Sequence, residues 1–153
     1  QDPFYLASNA AITAHCALKL LMQKLPVCLE NASVLIIGWG RIGKCLAKLL
    51  QGLGACVTVA ARRESRRVMI EALGYRSIAP EEIRPERYRL IINTVPAMVL
   101  PTVPGTGLKM DLASVPGMGG RDILQAKGLP ALLAPESSGA LIAQLITQWI
   151  KEK

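Results

Sequence analysis

Glycines spaced as G-x-G-x-x-G are the residues of this sequence with the clearest chemical meaning. Their segment consists of Gly38, Trp39, Gly40, Arg41, Ile42 and Gly43. In a dinucleotide-binding turn, the first glycine allows the tight turn, the second lets the backbone approach a pyrophosphate, and the third lets helix and strand pack closely. The following helix offers its first N–H groups to the phosphates. The pattern therefore predicts a dinucleotide site. Its alternative is a glycine turn in an α/β protein that binds no nucleotide.

A cluster of arginines follows the next apolar run. Its members are Arg62, Arg63, Arg66 and Arg67. Sites for NAD or FAD place Asp or Glu here to accept the ribose hydroxyls, but no acidic residue occurs between Gly43 and Arg63. Guanidinium groups match phosphate oxygens in a bidentate fork. We therefore predict NADP rather than NAD, with Ala61, Arg62, Arg63 and Arg66 at the 2′-phosphate. A solvated basic helix start is the alternative, and it fits Arg67 best.

Polar residues follow two further apolar runs. After the first run come Asn93, Thr94, Val95 and Pro96. An amide and a hydroxyl there can bond a ribose or a pyrophosphate, and an ordinary polar turn explains them equally well. The second run ends in Asp111, Ala113 and Ser114. Asp111 either orients a nicotinamide or a substrate amine or caps the local turn, and the sequence leaves both open.

Residues for acid–base or metal chemistry are scarce. His15 is the only histidine, and a lone histidine on a helix flank is more often structural than catalytic. No acid–base pair, nucleophile triad or metal cluster can be recognised, so no catalytic residue is assigned and no metal is predicted.

Alternating strands and helices must position these residues. Apolar runs predict strands at Ser33–Ile37, Ala55–Ala60, Tyr88–Asn93, Leu108–Leu112 and Pro130–Ala134. An amphipathic helix follows the first strand and ends at Gly52 and Gly54. Further on, we expect a helix from an N-cap at Ser65 to Leu73, a short strand within "YRSI" and a brief helix at Pro80.

Two apolar helices bracket these elements. Helical spacing predicts one from Ala10 to Leu25 and another through the stripe of Leu141, Leu145 and Trp149. The fold class is thus α/β, a Rossmann-like doubly wound parallel sheet with flanking N- and C-terminal helices. We expect one domain over residues 1–153. It comprises a linking segment and helix (1–26), a Rossmann core (27–136) and a C-terminal helix (137–153).

Composition excludes several classes of protein. The net charge is +7, but aromatic residues are only 4% and no RNA- or DNA-binding motif accompanies the arginines, so a nucleic-acid partner is not expected. No apolar run reaches the length of a membrane span, and the N-terminus lacks the basic region of a signal peptide. We therefore expect a cytoplasmic protein without a membrane partner. The cysteines are widely spaced, at Cys16, Cys28, Cys45 and Cys56. Three of the four fall inside apolar patterns, which indicates reduced, buried thiols rather than disulfides or a zinc site.

With these motifs placed, nearly the whole chain resembles the C-terminal, dinucleotide-binding domain of the dipicolinate synthase A subunits, which are related to the D-2-hydroxyacid dehydrogenases. The resemblance rests on "VLIIGWGRIGKCLAKLLQGLGACVTVAARR", "LIINTVPAMVL" and "DLASVPGMGG". Asn9, Thr13 and Ala14 fall on the family's Asn…Thr-Ala positions. This sequence departs from the family at His15-Cys16, where Glu-Gly is usual, and in "APESSGALIAQ", a shortened loop. Both departures face the substrate side.

The resemblance implies an oxidoreductase of sporulation. The full protein would oxidise a dihydrodipicolinate-like small molecule to dipicolinate and pass hydride to NADP. By the resemblance, we expect this sequence not to include the family's N-terminal substrate domain, and we expect the chain alone to bind nucleotide without efficient turnover. Its apolar flanking helices fit either that domain or a homodimer. The resemblance also suggests a separate flavoprotein partner.

Three other readings stay open. The first is another NADP-dependent dehydrogenase, because shikimate dehydrogenases share the Asn-Thr strand end and alanine dehydrogenases share the "DLA…GG" loop. The second is a non-catalytic NADP(H)-sensing module. The third is a Rossmann-like domain that binds no nucleotide.

Overall fold

The computed structural model describes residues 2–151. Its helices are α1 (Pro3–Lys24), α2 (Arg41–Gly52), α3 (Glu64–Ala72), α4 (Leu129–Leu133) and α5 (Pro135–Lys151). Its strands are β1 (Ser33–Ile37), β2 (Cys56–Ala60), β3 (Arg76–Ile78), β4 (Leu90–Asn93), β5 (Leu108–Asp111) and β6 (Ile123–Gln125). Two short 3₁₀ turns, Pro80–Glu82 and Pro85–Arg87, connect β3 to β4.

The strands form one parallel sheet in the order β3-β2-β1-β4-β5-β6. This order confirms the predicted Rossmann-like architecture. Ile37 at the end of β1 pairs with both Ala60 and Asn93, and Asn93 pairs with Asp111. Four strands therefore end level at one edge of the sheet. The chain order reverses between β1 and β4, and ligands of such sheets bind in the crevice at that point.

The two faces of the sheet are covered differently. Val34 and Ile36 face a large apolar cluster that includes buried residues of α1, α2 and α3, such as Leu21 and Leu46. Leu35 and its neighbours on the opposite face pack against residues of the connecting segments, including Ile83, Val103 and Met118. Alternation along each strand thus buries both faces, which explains the nearly continuous apolar runs.

Three local predictions were wrong, and one strand was missed. The predicted strand Pro130–Ala134 is instead the end of helix α4 and its C-cap residue Ala134, because a short apolar run does not distinguish strand from helix and proline favours the first turn of a helix. Strand β6 was missed, since three residues are too few to show a pattern. Helix α3 begins at Glu64 with Arg63 in the N-cap position, so Ser65 does not cap it. The segment "APESSGALIAQ" is no loop, since α5 begins at Pro135.

The cysteine prediction is confirmed only in part. All four thiols are free, and Cys16 is buried in the core. Burial raises the pKa of the Cys16 thiol, and the nearby Lys19 charge partly offsets this effect. Cys45 is partly buried and Cys28 and Cys56 are exposed, so the expectation of three buried thiols is wrong. Cys56 is the first residue of β2, and burial in this strand begins only at the next residue.

The flanking helices differ in how deeply they pack. Helix α1 begins at Pro3, earlier than predicted, with the Asp2 side chain accepting a bond from the Tyr5 N–H at 2.7 Å. In α5 only Leu141 is buried, while Ile146 and Trp149 are about half exposed. Within residues 2–151, no helix has the length and apolar character required to cross a bilayer.

Candidate functional site

The first and third glycines of the G-x-G-x-x-G loop meet packing requirements. Gly38 has a φ of 104°, in a region that disfavours side chains, and its N–H donates to the Ala60 carbonyl at 3.0 Å. A Cβ atom on Gly38 would lie 2.5 Å from the Thr94 Oγ1 and 2.8 Å from Val95 Cγ2. A Cβ atom on Gly43 would collide with the Gly38 carbonyl oxygen. Both glycines are therefore needed to bring β1, α2 and the loop after β4 together.

Gly40 has no such internal reason to be glycine. It is exposed, with φ −86° and ψ −170°, and a Cβ atom there would meet no heavy atom within 4 Å. Helix α2 begins directly after it, and the Lys44 N–H donates to the Gly40 carbonyl at 3.0 Å. The N–H groups of residues 41–43 precede that first helical bond and form the open end of the helix. A phosphate group fits this open backbone surface, which a side chain would fill.

The predicted arginines line a cleft beside this loop. The cleft has a volume of about 550 Å³, within the usual range for ligand sites. Its arginines are all exposed: Arg62 and Arg63 follow the end of β2, and Arg66 lies in the first turn of α3. Ala61 forms part of the wall, and its N–H donates to the Ile78 carbonyl at 3.0 Å. The structure thus brings these four residues to the same cleft as Gly38.

Arg67 has a different position from the other three arginines. Its Nη1 donates to the carbonyls of Ala61 and Arg62, at 2.8 Å each. It therefore holds the turn between β2 and α3 in place, while the other three arginines line the cleft. Arg67 thus lies outside the lining of the cleft, but its backbone contacts differ from the solvated helix start that the sequence suggested for it.

Trp39 contributes to the cleft from within the core. Trp39 is only 7% exposed, and its ring packs edge-on against Tyr75 with centroids 5.7 Å apart. The Lys44 Nζ lies 5.9 Å from the centre of the indole. Burial also raises the pKa of the Tyr75 phenol. Trp39 thus forms a rigid wall of the cleft, and its fluorescence can report on a ligand bound there.

Asp111 and Asn93 form a buried network between the ends of β4 and β5. Both side chains are inaccessible to solvent. The Asn93 Nδ2 donates to Asp111 Oδ1 at 2.9 Å and to the Val95 carbonyl at 3.0 Å. Asp111 also accepts from the backbone N–H groups of Ala113, at 3.1 Å, and of Gly117 and Met118, at 2.8 and 3.2 Å. These contacts favour the turn-capping reading of Asp111, since its carboxylate shapes two loops of the cleft.

The other residues predicted at the strand ends lie around the glycine loop. Thr94 donates through Oγ1 to the Ile37 carbonyl at 2.9 Å, so its hydroxyl fastens the loop after β4 to β1. Val95 and Pro96 line the arginine cleft. Ala113 is buried, and Ser114 is exposed on the other side of the glycine loop, near α4.

Two further cavities continue the groove beyond Gly40. One, of about 370 Å³, is lined by Gly40, Arg41 and Thr94 together with α1 residues. The next, of about 480 Å³, lies between α1, the end of β5 and α4. Asn9 and Ile42 line both cavities. The groove therefore runs from the arginine cleft across the glycine loop to α4, which suits an elongated ligand.

The sequence did not reveal several lining residues. In the arginine cleft these are Pro80, Glu81 and the segment 97–99, and near α4 they include Lys127. One signal was available for Pro80 and Glu81, because they follow a short parallel strand and must lie at the same sheet edge. His15 lies away from the groove, between α1 and α2 beside Cys45.

Comparison with known proteins defines the class. Residues 19–98 match the NAD binding domain of the D-isomer specific 2-hydroxyacid dehydrogenases, and the chain belongs to this family. Its fold and glycine loop are thus those of a dehydrogenase nucleotide-binding domain.

Particular relatives confirm the resemblance drawn from the motifs. The chain is 28% identical to the dipicolinate synthase A subunit of Bacillus subtilis (strain 168), over 94% of the chain and 54% of that protein. The crystal structure of the dipicolinate synthase A subunit from Bacillus halodurans superposes with a TM-score of 0.86 at 25% identity, covering 97% of the chain and 56% of that structure. The chain therefore spans about half the length of these relatives.

A more distant structure shares the fold. An oxidoreductase from Salmonella enterica, solved in complex with NADP, superposes with a TM-score of 0.59 at 20% identity, over 90% of the chain and 49% of that structure.

Proposed function

We propose that this chain is the NADP-binding domain of a dehydrogenase similar to the dipicolinate synthase A subunits. One observation carries the choice of nucleotide. Arg62, Arg63 and Arg66 line the cleft at the end of β2, where an NAD site would place a carboxylate. Three guanidinium groups favour the additional phosphate of NADP.

Each section of the groove would bind a different portion of the nucleotide. The 550 Å³ cleft would take the adenosine portion, with Ala61, Arg62, Arg63 and Arg66 around its 2′-phosphate. The open backbone at Gly40 and the start of α2 would take the pyrophosphate. The 370 Å³ cavity next to Gly40 would take the nicotinamide, which supplies hydride transfer when bound, and the 480 Å³ cavity would adjoin it.

The remaining predicted residues would shape this groove. Thr94 holds the loop after β4 against β1, and Val95 and Pro96 form its wall. Asn93 and Asp111 hold the backbone of both neighbouring loops, and Ala113 and Ser114 follow on the nicotinamide side. In this proposal the chain's own residues bind and orient the nucleotide and exclude water from part of it.

We further propose that the complete protein oxidises a dihydrodipicolinate-type precursor with NADP, and that a second domain and a separate flavoprotein take part. The chain spans 54% of its curated relative, which leaves room for a substrate domain in a complete protein. We expect the chain alone to bind nucleotide without sustained turnover. Multiple-turnover NADPH formation by the chain with a dihydrodipicolinate precursor would contradict this expectation.

The test of nucleotide choice is a titration with NADPH and NADH by calorimetry, with tryptophan fluorescence as a second signal. We expect a preference for NADPH. The double variant Arg62→Ala/Arg63→Ala should lower NADPH affinity about tenfold or more, since each lost charge-assisted hydrogen bond is worth about 1.5–3 kcal/mol, and should leave NADH affinity nearly unchanged.

A matched control removes the same charge elsewhere. Arg87→Ala/Arg89→Ala changes two exposed arginines at the opposite edge of the sheet, where the Arg89 N–H bonds the Ser33 carbonyl at the start of β1. This variant should bind NADPH like the unmodified chain. Equal affinity for both nucleotides would disprove the role of the arginines. Binding of neither would leave the glycine loop as a feature of the fold alone.

A further inference from the structure

The 480 Å³ cavity near α4, named here the Lys127 cavity, has a distinctive lining. Its polar residues are Asn9, Thr13, Ser114, Lys127 and Ser138, and Ile42 is among its apolar ones. Lys127 is the one charged residue among the described residues that line it. A cavity with several neutral hydrogen-bonding groups and a single ammonium group favours an anionic ligand over a neutral or cationic one.

The position of Lys127 is set by the backbone on both sides of it. The preceding Ala126 donates its N–H to the Asp111 carbonyl at 2.9 Å, which extends the pairing of β6 with β5. The following Gly128 has a φ of 65°, a left-handed conformation that turns the chain into α4. Lys127 thus lies exposed at the rim of the groove, just beyond the carboxyl end of β6.

The ammonium group of Lys127 is free to meet a ligand. Within residues 2–151 it makes no hydrogen bond or ion pair, whereas the Lys109 Nζ donates to the Gly105 carbonyl at 2.8 Å. Thr13 directs its hydroxyl proton to the Asn9 carbonyl, which leaves the Thr13 oxygen as an acceptor. Lys127 is therefore the principal group in this cavity that can neutralise an anion.

We propose that Lys127 binds a carboxylate group of the substrate in this cavity. The inference rests on the proposed function in one respect, because the proposed function places the nicotinamide end of the groove beyond Gly40. The carboxylate would then lie next to the reacting end of the nucleotide. Lys127 acts here as a binding and specificity residue, and it requires that the substrate carry at least one carboxylate.

The test measures binding of pyridine-2,6-dicarboxylate to the chain by calorimetry, with and without saturating NADP⁺. Lys127→Gln should weaken binding about tenfold or more. Lys127→Arg, which keeps the positive charge, should retain most of the affinity. Lys48→Gln is the matched control, because Lys48 is exposed on α2 and lies outside the cavity. The neutral pyridine-2,6-dicarboxamide should bind more weakly than the dicarboxylate.

The outcomes separate this inference from the proposed function. Absence of dicarboxylate binding, equal binding by Lys127→Gln, or equal binding of the diamide would each overturn the role of Lys127. NADPH titration of the same samples tests the nucleotide site independently. Loss of NADPH binding together with Lys127-dependent dicarboxylate binding would overturn the proposed nucleotide site while supporting the carboxylate site.

Discussion

Single residues of the same type have different tasks in this groove. Gly38 and Gly43 are required by close approach of neighbouring atoms, whereas Gly40 has open space where a side chain would be. Arg62 faces the cleft, whereas Arg67 bonds two backbone carbonyls. Residue type alone therefore does not state a role, and each position must be assigned from its contacts.

Gly40 provides a prediction at this scale. Gly40→Ala should change the free energy of unfolding by only about 1 kcal/mol or less, because its φ suits alanine and the new methyl group meets no protein atom. The same methyl group should lower NADPH affinity about tenfold or more, since it occupies the surface that a pyrophosphate approaches.

The control for Gly40→Ala is Gly52→Ala, another exposed position where an added Cβ atom meets nothing within 4 Å. It should leave NADPH affinity unchanged. Urea denaturation and nucleotide titration measure the two effects separately. Full retention of NADPH affinity in Gly40→Ala would show that the glycine loop is not part of the binding site.

At the scale of elements, the loops after β4 and β5 are connected through one carboxylate. Asp111 accepts hydrogen bonds from Asn93 and from three backbone N–H groups of the loop that follows β5. Asn93 in turn bonds the backbone of Val95 in both directions. The two loops therefore keep a common geometry, which positions one wall of the arginine cleft.

Asp111→Asn is the corresponding prediction. Either orientation of the new amide directs N–H donors at N–H donors, so the variant should lose about 1–3 kcal/mol of unfolding free energy. Asp122→Asn should be nearly neutral, because Asp122 is exposed at φ 64° and asparagine tolerates that conformation. Urea denaturation of both variants measures the difference, and equal stabilities would show that the network does not hold the loops.

At the scale of the molecule, the sheet edge, the glycine loop and α1 together enclose one groove. Cavities on both sides of Gly40 share this edge, and Asn9 of α1 lines two of them. A nucleotide in the groove would contact several elements at once, so binding should stabilise the entire fold rather than one loop.

Thermal unfolding tests this expectation. NADPH at about 100 times its dissociation constant should add about 2.7 kcal/mol to the free energy of unfolding, which corresponds to a Tm increase of roughly 5–10 °C for a chain of this size. NADH at the same concentration should give a smaller increase, as should NADPH with Arg62→Ala/Arg63→Ala. Equal increases with NADH and NADPH would argue against NADP selectivity.

Much of the fold could be predicted from the sequence because its signals are local. Buried strands such as Ser33–Ile37 show as apolar runs, and helix α2 shows as an amphipathic one. The predictions failed where local signals are short, as at β6 and α4. Three to five residues contain too few periods to distinguish a strand from a helix.

The sequence by itself determined the sheet class, the glycine loop and the arginine cluster, because backbone geometry and charge at these positions depend on adjacent residues. Only the tertiary structure decided the individual roles. In the tertiary structure, Asn93 on β4 hydrogen-bonds Asp111 on β5, and Arg67 bonds a backbone carbonyl. Lys127 and Asn9 line the same cavity. Asn93 and Asp111, like Lys127 and Asn9, are distant in the sequence, and they come together only when the strands and helices pack.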